Sequence, residues 1–95
     1  MTVKLKRFDA ADYLKSEEDI AAYLDAVLED NDPQLLIVAL GDIARARGMT
    51  QLAEKVGVSR ESLYRSLSID GNPSAATVLK IVGALGLQLH VSAAG

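Results

Sequence analysis

Gly57 and Ser59, two residues apart near the middle of the chain, constrain its fold more than any other pair. Glycine reaches the backbone conformations that end a helix abruptly. Serine caps the orphan amides of a helix that starts anew. The stretch Met49–Ser74, MTQLAEKVGVSRESLYRSLSIDGNPS, therefore predicts a short helix, a tight turn and a second short helix. Thr50 is the expected cap of the first, with Gln51 to Val56 as its body, and Arg60 to Leu67 form the second. Leu52, Ala53 and Val56 face inward on the first helix in this reading, and Leu63 and Leu67 on the second. A small residue at Ala53 lets two crossing helices come close, where a larger side chain would pry them apart.

Two helices joined this tightly have the form of a helix-turn-helix, whose second helix can be offered to the major groove of DNA. The outward residues of the second helix are Arg60, Glu61, Tyr64, Arg65 and Ser68. Arginine grips guanine edges or phosphates, and a glutamate accepts from a cytosine amine or braces a neighbouring arginine. An ordinary helical hairpin with solvated charges has the same spacing. Pattern alone leaves both readings open.

The flanking chain reads as scaffold. Thr2 to Phe8 alternates weakly, as a short edge strand or an ordered arm, and Asp9 to Leu14 as a single helical turn anchored by Tyr13 and Leu14. Ser16 caps a long helix whose first turn holds Glu17, Glu18 and Asp19, where carboxylates oppose the positive end of the helix dipole. Its stripe of Ile20, Tyr23, Leu24, Val27 and Leu28 recurs at helical spacing, and it should end near Asp30. Asp32 and Pro33 open the next helix as cap and first residue, with Leu36, Ala39, Leu40, Ile43 and Ala44 inward. Arg45 and Arg47 sit in its last turn, suited to its negative end and within reach of phosphate if the neighbouring motif binds DNA; Gly48 stops it.

Beyond the motif, Gly71 is the expected positive-φ residue of a loop. Ser74 caps a further helix, supported by Thr77, with Val78, Leu79, Val82 and Leu85 as its core stripe and Gly86 as its stop. Leu87, Leu89 and Val91 then alternate with Gln88, His90 and Ser92, which predicts a lone strand. A lone strand is not stable in water, so it wants the N-terminal arm or the same strand of a second subunit. The latter would make Leu87, Leu89 and Val91 a dimer surface.

Charge and composition narrow the function. At 95 residues the chain is one domain, with residues 1–32 as arm and acidic helix, 33–87 as the helix-turn-helix unit (motif 50–68) and 88–92 as the strand. The net charge is −3, yet residues 16–32 hold seven acids and no base, while from Pro33 onward six bases face four acids. An acidic helix is either a solvated face or a docking surface for a basic protein. A weakly basic reading module needs dimerisation for affinity, because phosphate neutralisation supplies much of DNA binding. The absence of cysteine excludes disulfides and thiolate sites, and the lone His90 has no partner for catalysis. No metal-ligand cluster, phosphate loop or cofactor motif is present, so the expectation is a non-enzyme with neither metal nor cofactor. No apolar run is long enough for a bilayer and no signal-peptide core is visible, which makes a cytoplasmic protein with no membrane role the default.

Ala53, Gly57, Val58-Ser59, Leu63 and Gly71-Asn72-Pro73-Ser74 resemble the lambda-repressor-like (Xre-type) DNA-binding domain. More narrowly, LGDIARARGMTQLAEKVGVSRESLYRSLSIDGNPSAATVLKIVGALGLQL resembles the HigA-like addiction-module antidote proteins, as does Asp9 to Leu28. The chain departs from the broader pattern at Thr50-Gln51-Leu52-Ala53, a shortened T-Q-x-x-L-A in which Met49 replaces the usual glutamine four residues before the alanine. The antidote family shares that shortening. The resemblance implies an all-α, five-helix lambda-repressor-like domain with an N-terminal helical extension and a short C-terminal β-strand used in pairing or dimerisation. It also implies an antitoxin that represses its own operon as a homodimer on an inverted-repeat operator and neutralises a small basic RelE/HigB-like toxin. Ser59, Arg60, Glu61, Tyr64 and Arg65 would read each half-site of the double-stranded DNA, with Thr50 and Gln51 fixing phosphate. A stand-alone prophage-type repressor, or an interaction module that has lost DNA binding, would carry much the same sequence.

Overall fold

The computed structural model describes residues 14–94 and builds them from five helices. These are α1 (Glu17–Leu28), α2 (Pro33–Arg47), α3 (Met49–Val56), α4 (Arg60–Ser66) and α5 (Ala75–Ala84). Four of them start on the side chain expected to cap them. Ser16 accepts from the Asp19 amide at 3.1 Å, and Asp32 from the amides of Gln34 and Leu35 at 3.0 and 3.3 Å. Ser59 accepts from Ser62 at 3.0 Å and Ser74 from Thr77 at 3.1 Å, the Thr77 hydroxyl also meeting that of Ser74 at 3.0 Å. Each such bond satisfies an amide with no partner inside its helix and contributes about 1 kcal/mol.

The exception is α3. Thr50 is not its cap but lies inside the helix, which begins at Met49 directly off Gly48 with no side-chain cap at all. Gly48, at φ 105°, closes α2 through its amide to the Ala44 carbonyl (2.9 Å) and opens α3 through its carbonyl to the Leu52 amide (3.1 Å). A glycine that takes both ends leaves no room for the extra residue that a threonine cap would require.

α2 runs through the middle. Ala39, Leu40, Ile43 and Ala44 are fully buried on it. α1 packs on one side and α3 on another, and α3 in turn packs against α4 and α5. Ile20, Leu63 and Ile81 complete the sealed centre with Leu40 and Ile43, each side chain contributing about 1.5–3 kcal/mol by leaving water. Gly41 marks the closest approach between α2 and the end of α4, since a Cβ there would stand 2.8 Å from the Leu67 carbonyl oxygen. Leu14 is buried in the same core, ahead of α1. The arm expected over Thr2 to Phe8, and Asp9 to Tyr13 of the expected helical turn, lie outside the described residues.

Several expectations are corrected. No strand forms among the described residues: 88–92 carries no ladder, and Val91 is 98% exposed. Period-two alternation makes a strand only beside a second strand, and none is at hand here. On α5 the inward set is Val78, Ile81, Val82 and Leu85, a regular i, i+3, i+4, i+7 stripe, so Ile81 is sealed while Leu79 is exposed. Gly71 does not adopt positive φ; a side chain there would collide with the carbonyls of Arg65 and Ser66, so the glycine serves close approach. α1 ends at Leu28, itself exposed, and Asn31 supplies the left-handed residue at φ 51° that turns the chain toward α2. On α2, Ile37 and Gly41 are buried and Leu36 is only half-buried.

The Gly41 contact yields a direct test. Gly41→Ala presses a methyl against backbone and should cost about 1–3 kcal/mol. Gly83→Ala, in a helix with nothing within 4 Å of the new atom, should instead gain about 0.5–1 kcal/mol. Urea denaturation of the two variants distinguishes them, and equal effects would refute the steric account.

Candidate nucleic-acid interface

The geometry of the motif is set at the turn. Gly57 sits in the left-handed region at φ 86°, ψ 30°, and its amide and that of Val58 both donate to the Ala53 carbonyl, at 2.9 and 3.1 Å. Those bonds satisfy the carbonyl end of α3 and redirect the chain within two residues. Ser59 returns to extended backbone, caps the Ser62 amide and accepts the Leu63 amide on its own carbonyl at 3.0 Å. α4 is seven residues long, too short to persist alone, and is held by Leu63 and Leu67, which are 1% and 5% exposed.

That anchoring turns the rest of α4 to solvent. Ser59, Arg60, Glu61, Tyr64 and Arg65 are all exposed, as expected, and the last four recur at i, i+1, i+4 and i+5 on one face. Ser68 is only half-buried and its hydroxyl donates to the Arg65 carbonyl at 2.8 Å, so it finishes the helix rather than joining that face. Arg60 and Arg65 form no ion pair with any described residue. Two unneutralised guanidinium groups on a short, rigidly seated helix can take base edges or phosphates.

Thr50 and Gln51 are exposed on α3, but Gln51 does not extend freely. Its amide folds back over Gly48 and lines a cleft of ≈ 320 Å³ together with Arg47, Lys55 and the end of α5. Arg45 is partly committed as well. Its guanidinium pairs with Asp42, which also accepts a hydrogen bond from the Tyr23 hydroxyl at 3.1 Å. Tyr23–Asp42–Arg45 thus ties α1 to α2, the helix that leads into the motif. The Asp42–Arg45 pair stands at i, i+3 in the sequence, whereas Tyr23 comes from nineteen residues away and no local pattern announces it. Burial pushes the Tyr23 phenol above its usual value, Asp42 raises it further by charge and hydrogen bond, and Arg45 opposes both.

Leu87 is half-buried against the core, while Leu89 and Val91 are exposed. His90 is exposed too, and no cluster of metal-ligating side chains occurs among the described residues. No helix there is long and apolar enough to cross a membrane.

The family model described as "probable addiction module antidote protein" matches residues 4–93. The chain belongs to that family. An uncharacterized protein of Haemophilus influenzae is 53% identical over 91 residues, spanning 96% of this chain and 94% of its own length. No solved structure matches. Antidote membership implies a toxin as protein partner and a binding or regulatory role.

In this antidote-family chain the Tyr23 tie should be visible in the pH dependence of stability. A raised phenol favours the neutral form in the folded protein, so its contribution is complete below the unfolded value of 10.0 and fades as pH rises through the folded one. Tyr23→Phe should lose up to about 1 kcal/mol at neutral pH, from one half-buried hydrogen bond. That gap should narrow above pH 10.0. A gap independent of pH in denaturation curves would show that Tyr23 acts by packing alone.

Proposed function

We propose that this protein is a DNA-binding antitoxin with a lambda-repressor-like (Xre-type) reading unit of the HigA kind, which represses its own operon and neutralises a RelE/HigB-like toxin. The observation that carries the DNA-binding half is the capped α3–turn–α4 unit, which buries Leu63 and Leu67 and leaves Arg60, Glu61, Tyr64 and Arg65 outward. In this reading Ser59, Arg60, Glu61, Tyr64 and Arg65 contact base edges or nearby phosphates, and residues 33–87 form the unit that meets DNA. Thr50 lies at the start of α3, where backbone and hydroxyl can hold a phosphate; Gln51, folded over Gly48, must swing out to do the same. A chain of net charge −3 gathers little phosphate by itself, so a homodimer on an inverted repeat is part of the proposal.

The toxin half is supported by family membership and by α1, which carries Glu17, Glu18, Asp19 and Asp25 with no basic residue. A basic partner would be steered to such a face.

Arg60→Ala/Arg65→Ala should weaken binding to a fragment of the protein's own promoter by at least about thirtyfold at low salt, since each lost base contact costs about 1–3 kcal/mol. Circular dichroism should show helicity unchanged. If the wild type itself fails to bind that fragment, the chain is an interaction module and the DNA half falls. For the toxin half, co-expression with the adjacent small open reading frame should yield a co-purifying complex and rescue growth. A neighbour recovered alone, without rescue, refutes it.

A further inference from the structure

Helix α1 has acids at both ends, and the two ends are not equivalent. Glu17, Glu18 and Asp19 occupy its first turn, where the positive end of the helix dipole favours them. At the other end Asp25, Glu29, Asp30 and Asp32 follow one another with no base between positions 25 and 32. A carboxylate there opposes the negative end of the same dipole, so these acids weaken the helix they terminate. Asp32 is accounted for, since it caps α2. Asp25, Glu29 and Asp30 are exposed and form no ion pair with any described residue. No metal-ligating cluster gathers them among the described residues either.

Two apolar hollows border this end of α1. One, of ≈ 530 Å³, lies between α1 and residues 86–90, with Leu24, Leu87 and Leu89 in its lining and Asp25 beside them. The other, of ≈ 230 Å³, lies at the turn into α2, with Val27, Pro33 and Leu36 in its lining. Leu28 lines both and is 40% exposed, a ridge with a hollow on either side. A helix packs on such relief by setting its apolar side chains into the hollows that flank a ridge. An extended peptide would instead need a sheet edge, and no strand exists among the described residues.

We propose that the two hollows astride Leu28 seat a cationic amphipathic helix of the toxin, whose lysines or arginines flank its apolar stripe and reach Asp25, Glu29 and Asp30. This rests on the toxin half of the function above and divides α1 between two duties: the acids of the first turn serve the helix, and those of the last turn serve the partner. Charge complementarity selects the occupant. A cationic side chain beside Glu29 or Asp30 pairs a group that is otherwise unpaired and relieves its opposition to the dipole. Docking and the stability of α1 are thereby coupled. A second copy packed through the same face would bring the same carboxylates to the rim, where like charges repel.

The coupling can be tested first without a partner. In the full chain, Glu29→Gln/Asp30→Asn should raise the urea midpoint, whereas Glu17→Gln/Glu18→Gln/Asp19→Asn should lower it. No rise in the first variant would mean that its acids are already paired within the chain, and would overturn the proposal. The second arm titrates each protein with the tagged product of the adjacent small open reading frame. Asp25→Asn/Glu29→Gln/Asp30→Asn and Leu28→Ser should each weaken that binding at least about tenfold, the former also flattening its salt dependence. The first-turn triple variant should stay within about twofold of the wild type. If the wild type binds and all these variants bind equally well, the docking site is refuted while the toxin reading stands. If the wild type does not bind at all, the toxin reading falls and takes this site with it. Self-association of the wild type that Leu28→Ser abolishes would assign the hollows to a second copy and equally overturn the proposal.

Discussion

The thinness of α2 along two of its sides is the constraint from which the rest of the structure follows. Ala39 and Ala44 are fully buried, and Gly41 has no side chain where the Leu67 carbonyl arrives. Small residues at those points let neighbouring helices approach almost backbone to backbone, while Leu40 and Ile43 fill the space between. α4 can then be held by two leucines alone. Because so little of α4 is spent on anchoring, most of a seven-residue helix remains for contact with something else.

The same economy explains why the polar network is sparse and where it sits. Among the described residues the one side-chain hydrogen bond that spans distant helices is Tyr23 to Asp42, at the border of the core, and no buried side-chain polar atom is left unpaired. Packing fixes the separation of α1 and α2. The tyrosine adds a directional constraint that aliphatic contacts lack, and it does so on the residue that also holds Arg45. Helices α1 and α2 thus share a fixed electrostatic joint.

What could be read from the residues divides along the range of the interaction. Ser16, Asp32, Ser59 and Ser74 cap as expected because a cap is decided within three residues of chain. The exposed face of α4 was legible for the same reason: Leu63 and Leu67 at i, i+4 determine which way the arginines point. Gly71 departs from its expected positive φ because steric need from Ser66 leaves no local mark, and Ile81 rather than Leu79 is sealed because an apolar run offers two adjacent stripes. The terminal alternation at 87–92 has the period of a strand but forms none among the described residues, since a strand is a property of two segments. Gln51 illustrates the limit for the candidate interface. Its position was plain, but its turn back over an adjacent glycine depends on the missing side chain of that neighbour.

Gly48 has a mechanical consequence. With one residue serving as the end of α2 and the start of α3, the two helices share a joint that has no slack. A conventional loop absorbs an inserted residue by bulging. Here an insertion would rotate everything downstream by about 100° about the axis of α3, the angular step of one helical residue. The angle at which α4 is presented becomes a quantity inherited with a single glycine.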